Sequence, residues 1–233
     1  MAAPARTARA RTAAGPAVGD PRTLDRETFG QRLRTARRKY GWTLAEVSER
    51  SGVSVPTISR AERGQLALSY EKFSALARAL NMDIGAMFAE AGGSPRSLDQ
   101  PVVTRANQGV RYRGLAFTYE FLGTQAAGKQ MSPILGTVHA RAIQGPGDFA
   151  RHEGEEFMYV LSGKVEVHFD TGEVFRLAKG DSLYFDSRIG HAYISTGPRL
   201  ARILGATTGE SSLMRLARER ESGTAGPARR NAK

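Results

Sequence analysis

The spacing of apolar residues divides the chain into a helical front part and a β-rich back part. In the front part, large apolar side chains recur three or four positions apart, as in Phe29, Leu33 and Ala36. This spacing places them on one face of a helix. Over residues 25–90 it predicts five short helices in a compact all-α domain, the last of them near residues 84–88.

After the front part, the period of the pattern changes to two. Residues 165–169 alternate between apolar and polar, Thr171 and Gly172 form a turn signal, and residues 174–177 return as a second strand. Other short strands are predicted at 115–121, 134–138, 155–161, 182–185, 191–195 and 200–206. Many short strands joined by glycine-bearing turns indicate an all-β barrel or double sheet over residues 109–208.

The remaining segments are predicted to be a linker and two tails. Residues 91–108 include Gly92-Gly93-Ser94-Pro95, which is a typical hinge composition, and are expected to separate two independently folding domains. Residues 1–24 are rich in Ala, Arg, Pro and Gly, so we expect a disordered basic tail. Residues 209–233 are expected to form a second basic tail.

The net charge is positive, and its distribution matters more than its size. The chain of 233 residues has 34 Lys and Arg against 23 Asp and Glu, whereas residues 95–210 carry 13 basic and 12 acidic residues. The excess therefore lies in the front part and the tails, which favours a polyanionic partner bound there. The alternative is a soluble basic protein without such a partner.

The composition also bears on the location of the protein. There is no cysteine, the N-terminus lacks the apolar core of a secretory signal, and no run of about 18 apolar residues occurs. We therefore expect a soluble cytoplasmic protein without a membrane partner.

A helix-turn-helix pattern occupies residues 43–64. Thr43 and Ser54 each precede a helical run as N-caps do, Glu46 completes a capping box with Thr43, and Pro56 falls in a first helical turn. Gly52 stands where the turn between the helices needs a positive φ. The segment resembles the helix-turn-helix of the Xre/Cro-repressor-like family.

This resemblance implies a double-stranded DNA operator as partner and a second helix that reads the major groove. It implies direct base readout by Arg60, phosphate contacts by Thr57, Ser59 and the helix end at Thr43, and apolar contact by Val55 and Pro56. The full set of expected DNA-binding residues is Thr43, Ser54, Val55, Pro56, Thr57, Ser59 and Arg60. It also implies that Arg37 pairs with Glu62.

Two motifs in the back part resemble those of the cupin family. Gly147, His152, Glu156 and Gly163 match most of the first cupin motif, and residues 180–191, ending in His191, match the second. The resemblance implies a jelly-roll barrel. The chain departs from the pattern at Ala150, which replaces the first histidine, and at Ser195, which replaces a terminal asparagine.

The residues kept from these motifs, His152, Glu156 and His191, are a set of two histidines and one carboxylate. Such a set suits Fe, Mn, Ni or Zn and leaves open coordination positions. The alternative is a polar patch that binds an organic ligand without a metal. Further candidates for an effector pocket are Arg151, Met158, Tyr184 and Tyr193, with Arg141 as another cation near the site.

Together the two modules predict a sequence-specific, non-catalytic transcriptional regulator that senses a small molecule in its cupin domain. A palindromic operator needs two reading heads, so a homodimer is expected. The alternative is a mononuclear-iron cupin enzyme of the hydroxypropylphosphonate epoxidase type, because open positions at such a metal can accept oxygen and substrate.

Overall fold

The computed structural model describes residues 23–82 and 96–209. The predicted fifth helix, the Gly-Gly-Ser-Pro hinge and nearly all of both predicted tails lie outside these ranges. Thr23 and Leu24, which the composition assigned to the first tail, extend along the barrel, where the Leu24 amide donates to the carbonyl of Arg111 at 2.8 Å. Within the described ranges, no helix has both the length and the apolar character needed to cross a membrane.

Four helices build the described part of the front domain, hereafter the head. They are α1 (Arg26–Lys39), α2 (Leu44–Ser51), α3 (Val55–Glu62) and α4 (Tyr70–Ala79). The capping box at Thr43 is confirmed, since its hydroxyl accepts from the Glu46 amide and the Glu46 side chain accepts from the Thr43 amide. Gly52 has φ of 69°, which allows the sharp turn into α3.

Within residues 96–209 the structure has nine strands, in two antiparallel sheets. They are β1 (Val110–Arg113), β2 (Phe117–Phe121), β3 (Met131–Val138), β4 (Glu155–Ser162), β5 (Lys164–Phe169), β6 (Val174–Ala178), β7 (Ser182–Asp186), β8 (His191–Ser195) and β9 (Arg202–Thr208). One sheet has the order β1-β2-β3-β9-β4-β7, and the other β6-β5-β8. This is the double-sheet β fold that the period of two predicts, except that β1 has no clear sequence signal.

The register of the strands sets the positions of the residues that match the two cupin motifs. Glu156 on β4 lies opposite Phe185 on β7 and Thr207 on β9. His191, the first residue of β8, forms an isolated bridge with Ala150, two residues before His152. Because these pairings draw the two motifs to the same end of the barrel, the side chains of His152, Glu156 and His191 can meet.

The head and the barrel contribute side chains to one continuous hydrophobic core. Tyr112 of β1 packs on Phe29 of α1 and Phe73 of α4, with ring centroids 5.3 and 6.1 Å apart. Phe73 also contacts Phe121 of β2 at 5.8 Å. The ring of Phe73 on α4 is therefore covered by aromatic rings of β1 and β2.

Candidate functional site

The exposed surface of α3 is formed by the residues that the helix-turn-helix resemblance marks for DNA. Val55, Pro56 and Arg60 are exposed and Thr57 and Ser59 are half-buried, whereas Ile58 and Ala61 are buried on the opposite face. Ser54 is the N-cap, but its side chain makes no cap hydrogen bond. Its hydroxyl instead lies 2.9 Å from the Thr57 hydroxyl, so both remain at the helix surface.

A bidentate ion pair holds α3 against α1. Arg37 donates from Nε and Nη2 to the two carboxylate oxygens of Glu62, at 2.7 and 2.8 Å, and from Nη1 to the carbonyl of Trp42 at 2.8 Å. The hydrogen bond to Glu62 raises the pKa of Arg37. The pairing implied by the family resemblance is confirmed, and its role is to orient the reading helix.

At one end of the barrel, three buried side chains converge. His152 Nε2 lies 3.0 Å from Glu156 Oε2, and His191 Nε2 lies 3.6 Å from the same oxygen. One ligand atom from each of the three residues lies within 4.8 Å of the others. The structure thus brings the predicted ligand set together.

The protonation of these groups favours the ligand forms. Burial raises the pKa of Glu156, but the His152 hydrogen bond, the nearby histidine charges and the Tyr193 hydroxyl outweigh it, so the net pKa is lowered. Burial lowers the pKa of His191. A carboxylate and a neutral imidazole are the forms that bind metals.

Backbone carbonyls orient both imidazoles. His191 Nδ1 lies 2.8 Å from the carbonyl of Ile189, and His152 Nδ1 lies 3.4 Å from that of Glu153. A carbonyl can only accept, so Nδ1 of His191 is the donor, which leaves its Nε2 as a lone pair directed at the site, whereas Nε2 of His152 donates to Glu156 Oε2 and would exchange that proton for a bound ion. The donor set therefore fits a divalent ion.

These ligands line a cavity of about 450 Å³. Its barrel wall is mainly apolar and aromatic and includes Phe117, Ile134, Tyr193 and Ile203. The Tyr193 hydroxyl donates to the oxygen of Glu156 that does not face the imidazoles. Cavities of this size commonly hold small organic molecules.

Of the four residues expected at an effector pocket, the structure places only Tyr193 in the cavity wall. Met158 shares the face of Glu156 and is fully buried, but it is not among the residues that line the cavity. Tyr184 lies opposite Phe157, on the other face of the sheet, and its side chain is 61% exposed. Arg151 lies on the surface in an ion pair with Asp170. These three residues therefore lie outside the cavity lining, because closeness to a motif in the sequence does not determine depth within a barrel.

Several cavity residues carried no sequence signal. His139 lines the cavity, and its Nε2 lies 2.7 Å from the Thr118 hydroxyl. Tyr70 belongs to the head, yet it lines the cavity with its ring 5.0 Å from that of His152. Only the docking of the head onto the barrel reveals such a residue.

Comparisons with known proteins support this architecture. The helix-turn-helix family model matches residues 33–87, and the cupin domain model matches residues 137–206. The crystal structure of an HTH_3 family transcriptional regulator from Vibrio cholerae has the same fold, with a TM-score of 0.56 at 19% identity over 80% of this chain and 97% of that one. Hydroxypropylphosphonic acid epoxidase from S. wedmorenis aligns over 78% of this chain and 98% of its own at 19% identity, with a TM-score of 0.40.

Two curated relatives are transcriptional regulators. The HTH-type transcriptional regulator PuuR of Escherichia coli is 22% identical over 180 residues, which are 77% of this chain and 94% of PuuR. The transcriptional regulator ClgR of Mycobacterium tuberculosis is 37% identical over 91 residues, which are 39% of this chain and 80% of ClgR. The chain therefore belongs to the helix-turn-helix transcriptional regulators of the Xre type, and it carries a C-terminal cupin domain.

Proposed function

We propose that this regulator reads operator DNA with α3 and senses a small molecule in its barrel, where a divalent metal ion binds to His152, Glu156 and His191. The observation that carries the proposal is the convergence of three buried ligand atoms within 4.8 Å at the wall of a cavity that the head also contacts. A sensor needs a binding site that is connected to the DNA-binding part of the protein. This cavity is lined by residues of both the head and the barrel.

The DNA-binding part of the proposal rests on the exposed face of α3. Its N-terminal residues would enter the major groove, with Arg60 donating two hydrogen bonds to a guanine edge. Thr57, Ser59 and the N-terminus of α2 at Thr43 would contact phosphates. Two heads in a homodimer would match a palindromic operator.

The metal part rests on the donor chemistry. Two imidazoles and one carboxylate suit Fe, Mn, Ni or Zn, and three protein ligands leave coordination positions open. When bound, the ion would supply a Lewis-acidic position for a donor atom of the effector. The residues of this chain orient that set: Tyr193 holds one Glu156 oxygen, and the carbonyl of Ile189 holds the His191 ring.

The metal part is tested by metal analysis of protein purified without chelator and then incubated with each of the four ions. We expect a near-stoichiometric ion in the wild type and its loss in His191→Ala. His168→Ala is the matched control, because His168 pairs with Glu166 on the barrel and lies outside the cavity lining. Protein that retains no ion under any of these conditions would show that the barrel is metal-free.

The DNA part is tested by selection of bound sequences from a random duplex library with the intact protein. We expect an enriched palindromic site, bound with steep salt dependence because Lys and Arg contacts to phosphate release counterions. A library that shows no enrichment would refute operator recognition, whatever the metal analysis shows.

A further inference from the structure

We propose that the effector is a small organic anion and that the head contacts it directly, through Ser69 and Lys72 at the start of α4. The inference rests on the proposed function, in which the cavity is the effector site. It adds the chemical class of the ligand and the head residues that bind it.

The cavity lies between the head and the barrel. Ser69, Tyr70 and Lys72 of the head line one side of it. The Tyr70 hydroxyl hydrogen-bonds to that of Thr207 on β9, and the amide of Leu68 donates to the Tyr112 hydroxyl on β1 at 2.7 Å. The start of α4 is therefore held to the barrel at two points, and a molecule that fills the cavity can contact both parts.

The negative charges that line the cavity are already compensated. Glu156 is hydrogen-bonded to His152 and to Tyr193. Asp148 Oδ2 accepts from the amides of Gln144 and Gly145, at 2.5 and 3.3 Å. Both carboxylates therefore have hydrogen-bond donors within the protein.

The positive charges that line it retain donors for a ligand. Across residues 23–82 and 96–209, the side chain of Lys72 makes no hydrogen bond and no ion pair. The neighbouring Glu71 attracts it electrostatically, but Glu71 lies outside the cavity lining. Arg141 uses only Nη1, which donates to the carbonyls of Ser195 and Gly197. A carboxylate or a similar anion is the ligand group that these donors recognise.

Ser69 supplies a second indication of a ligand. Ser69 lines the cavity, and its Oγ is buried and has no hydrogen-bond partner among the residues that the structure describes. It is the N-cap of α4 but makes no capping bond. Buried hydroxyls are nearly always hydrogen-bonded, so a ligand atom at this place would complete the site.

The rest of the lining requires an organic body rather than a simple inorganic ion. Leu115, Phe117, Ile134 and Ile203 present apolar surface to a volume of about 450 Å³. A ligand with an anionic group next to α4 and a compact apolar body would match both the polar and the apolar part of the lining. Because Phe73 and Leu76 of α4 are fully buried, a ligand that contacts α4 acts on a helix anchored in the core of the head.

The test compares compounds that share a body and differ in charge: phenylacetate, phenylacetamide and phenethylamine, and hexanoate, hexanamide and hexylamine. Binding to the intact protein is measured by calorimetry at millimolar compound concentration and low salt. We expect the carboxylates to bind and the amides and amines to bind more weakly or not at all. Lys72→Gln should weaken carboxylate binding about two- to fivefold, the loss typical of an exposed ion pair.

Lys179→Gln is the matched control, because Lys179 is exposed in the turn before β7 and lies outside the cavity lining, and it should bind the carboxylates as the wild type does. The proposal is overturned if the amines or amides bind as tightly as the carboxylates, if Lys72→Gln has no effect, or if none of the six compounds binds. Operator selection and metal analysis decide the proposed function separately, since neither uses these compounds.

Discussion

Removal of one hydroxyl at the junction of head and barrel should destabilise both. Tyr112 of β1 is 1% exposed and accepts a hydrogen bond of 2.7 Å from the amide of Leu68, which is 0% exposed. Tyr112→Phe keeps the ring, and so keeps its packing on Phe29 and Phe73. The substitution therefore leaves the shared core intact and deprives a buried amide of its acceptor.

The expected cost follows from that unpaired amide. A buried donor that loses its partner costs about 1–3 kcal/mol of the free energy of unfolding. We place Tyr112→Phe in the upper part of this range, because Tyr112 and Leu68 are both buried away from bulk solvent. Tyr184→Phe is the control: that side chain is 61% exposed, and its substitution should change stability by less than about 0.5 kcal/mol.

The assay is urea unfolding followed by two signals. Fluorescence of Trp42, the single tryptophan of the chain, reports on the head, whereas far-UV circular dichroism reports on both parts. Because the core is shared, the two signals should give one coincident transition in the wild type, and Tyr112→Phe should lower the midpoint of both equally. If the midpoint of the Trp42 fluorescence transition stays unchanged in Tyr112→Phe while the midpoint of the circular dichroism transition falls, the shared core is refuted.

Three other predictions follow from individual contacts. Glu62→Gln should lower the free energy of unfolding by about 2–3 kcal/mol in urea, since it leaves the nearly buried Arg37 without its charge partner. Arg176→Gln, which breaks a largely exposed ion pair, should cost less than about 1 kcal/mol. Equal losses in the two variants would contradict the role of burial. Burial lowers the pKa of His139 below 6.5, so the unfolded chain binds more protons than the folded chain just below that pH. The wild type should therefore lose stability relative to His139→Gln as the pH falls below 6.5. A difference between their melting temperatures that does not change with pH would contradict this. Arg60→Ala should cost about 1–3 kcal/mol at one base pair of the selected operator, measured by gel shift, and an equal loss on random DNA would make Arg60 a phosphate contact.

The sequence alone determined the features that depend on neighbours along the chain. The capping box of Thr43 and Glu46 and the positive φ at Gly52 follow from local steric and hydrogen-bonding rules, and the structure has both. The strands from β2 to β9 were predicted within a few residues, because alternation of apolar and polar residues records which face is buried. His152, Glu156 and His191 were identified because they stand in motifs of fixed spacing.

The tertiary structure decided what depends on contacts between distant segments. Tyr70 lies 82 positions before His152, and no local pattern indicates that their rings meet. The same holds for the bond between Leu68 and Tyr112, which joins the head to a strand without a clear sequence signal. By sequence, Met158 and Tyr193 are equally good candidates for the effector pocket, yet only Tyr193 lines the cavity. Periodicity tells which face a side chain occupies, but depth and partner are set by how sheets and helices pack together, and that packing is not encoded in the spacing of any one segment.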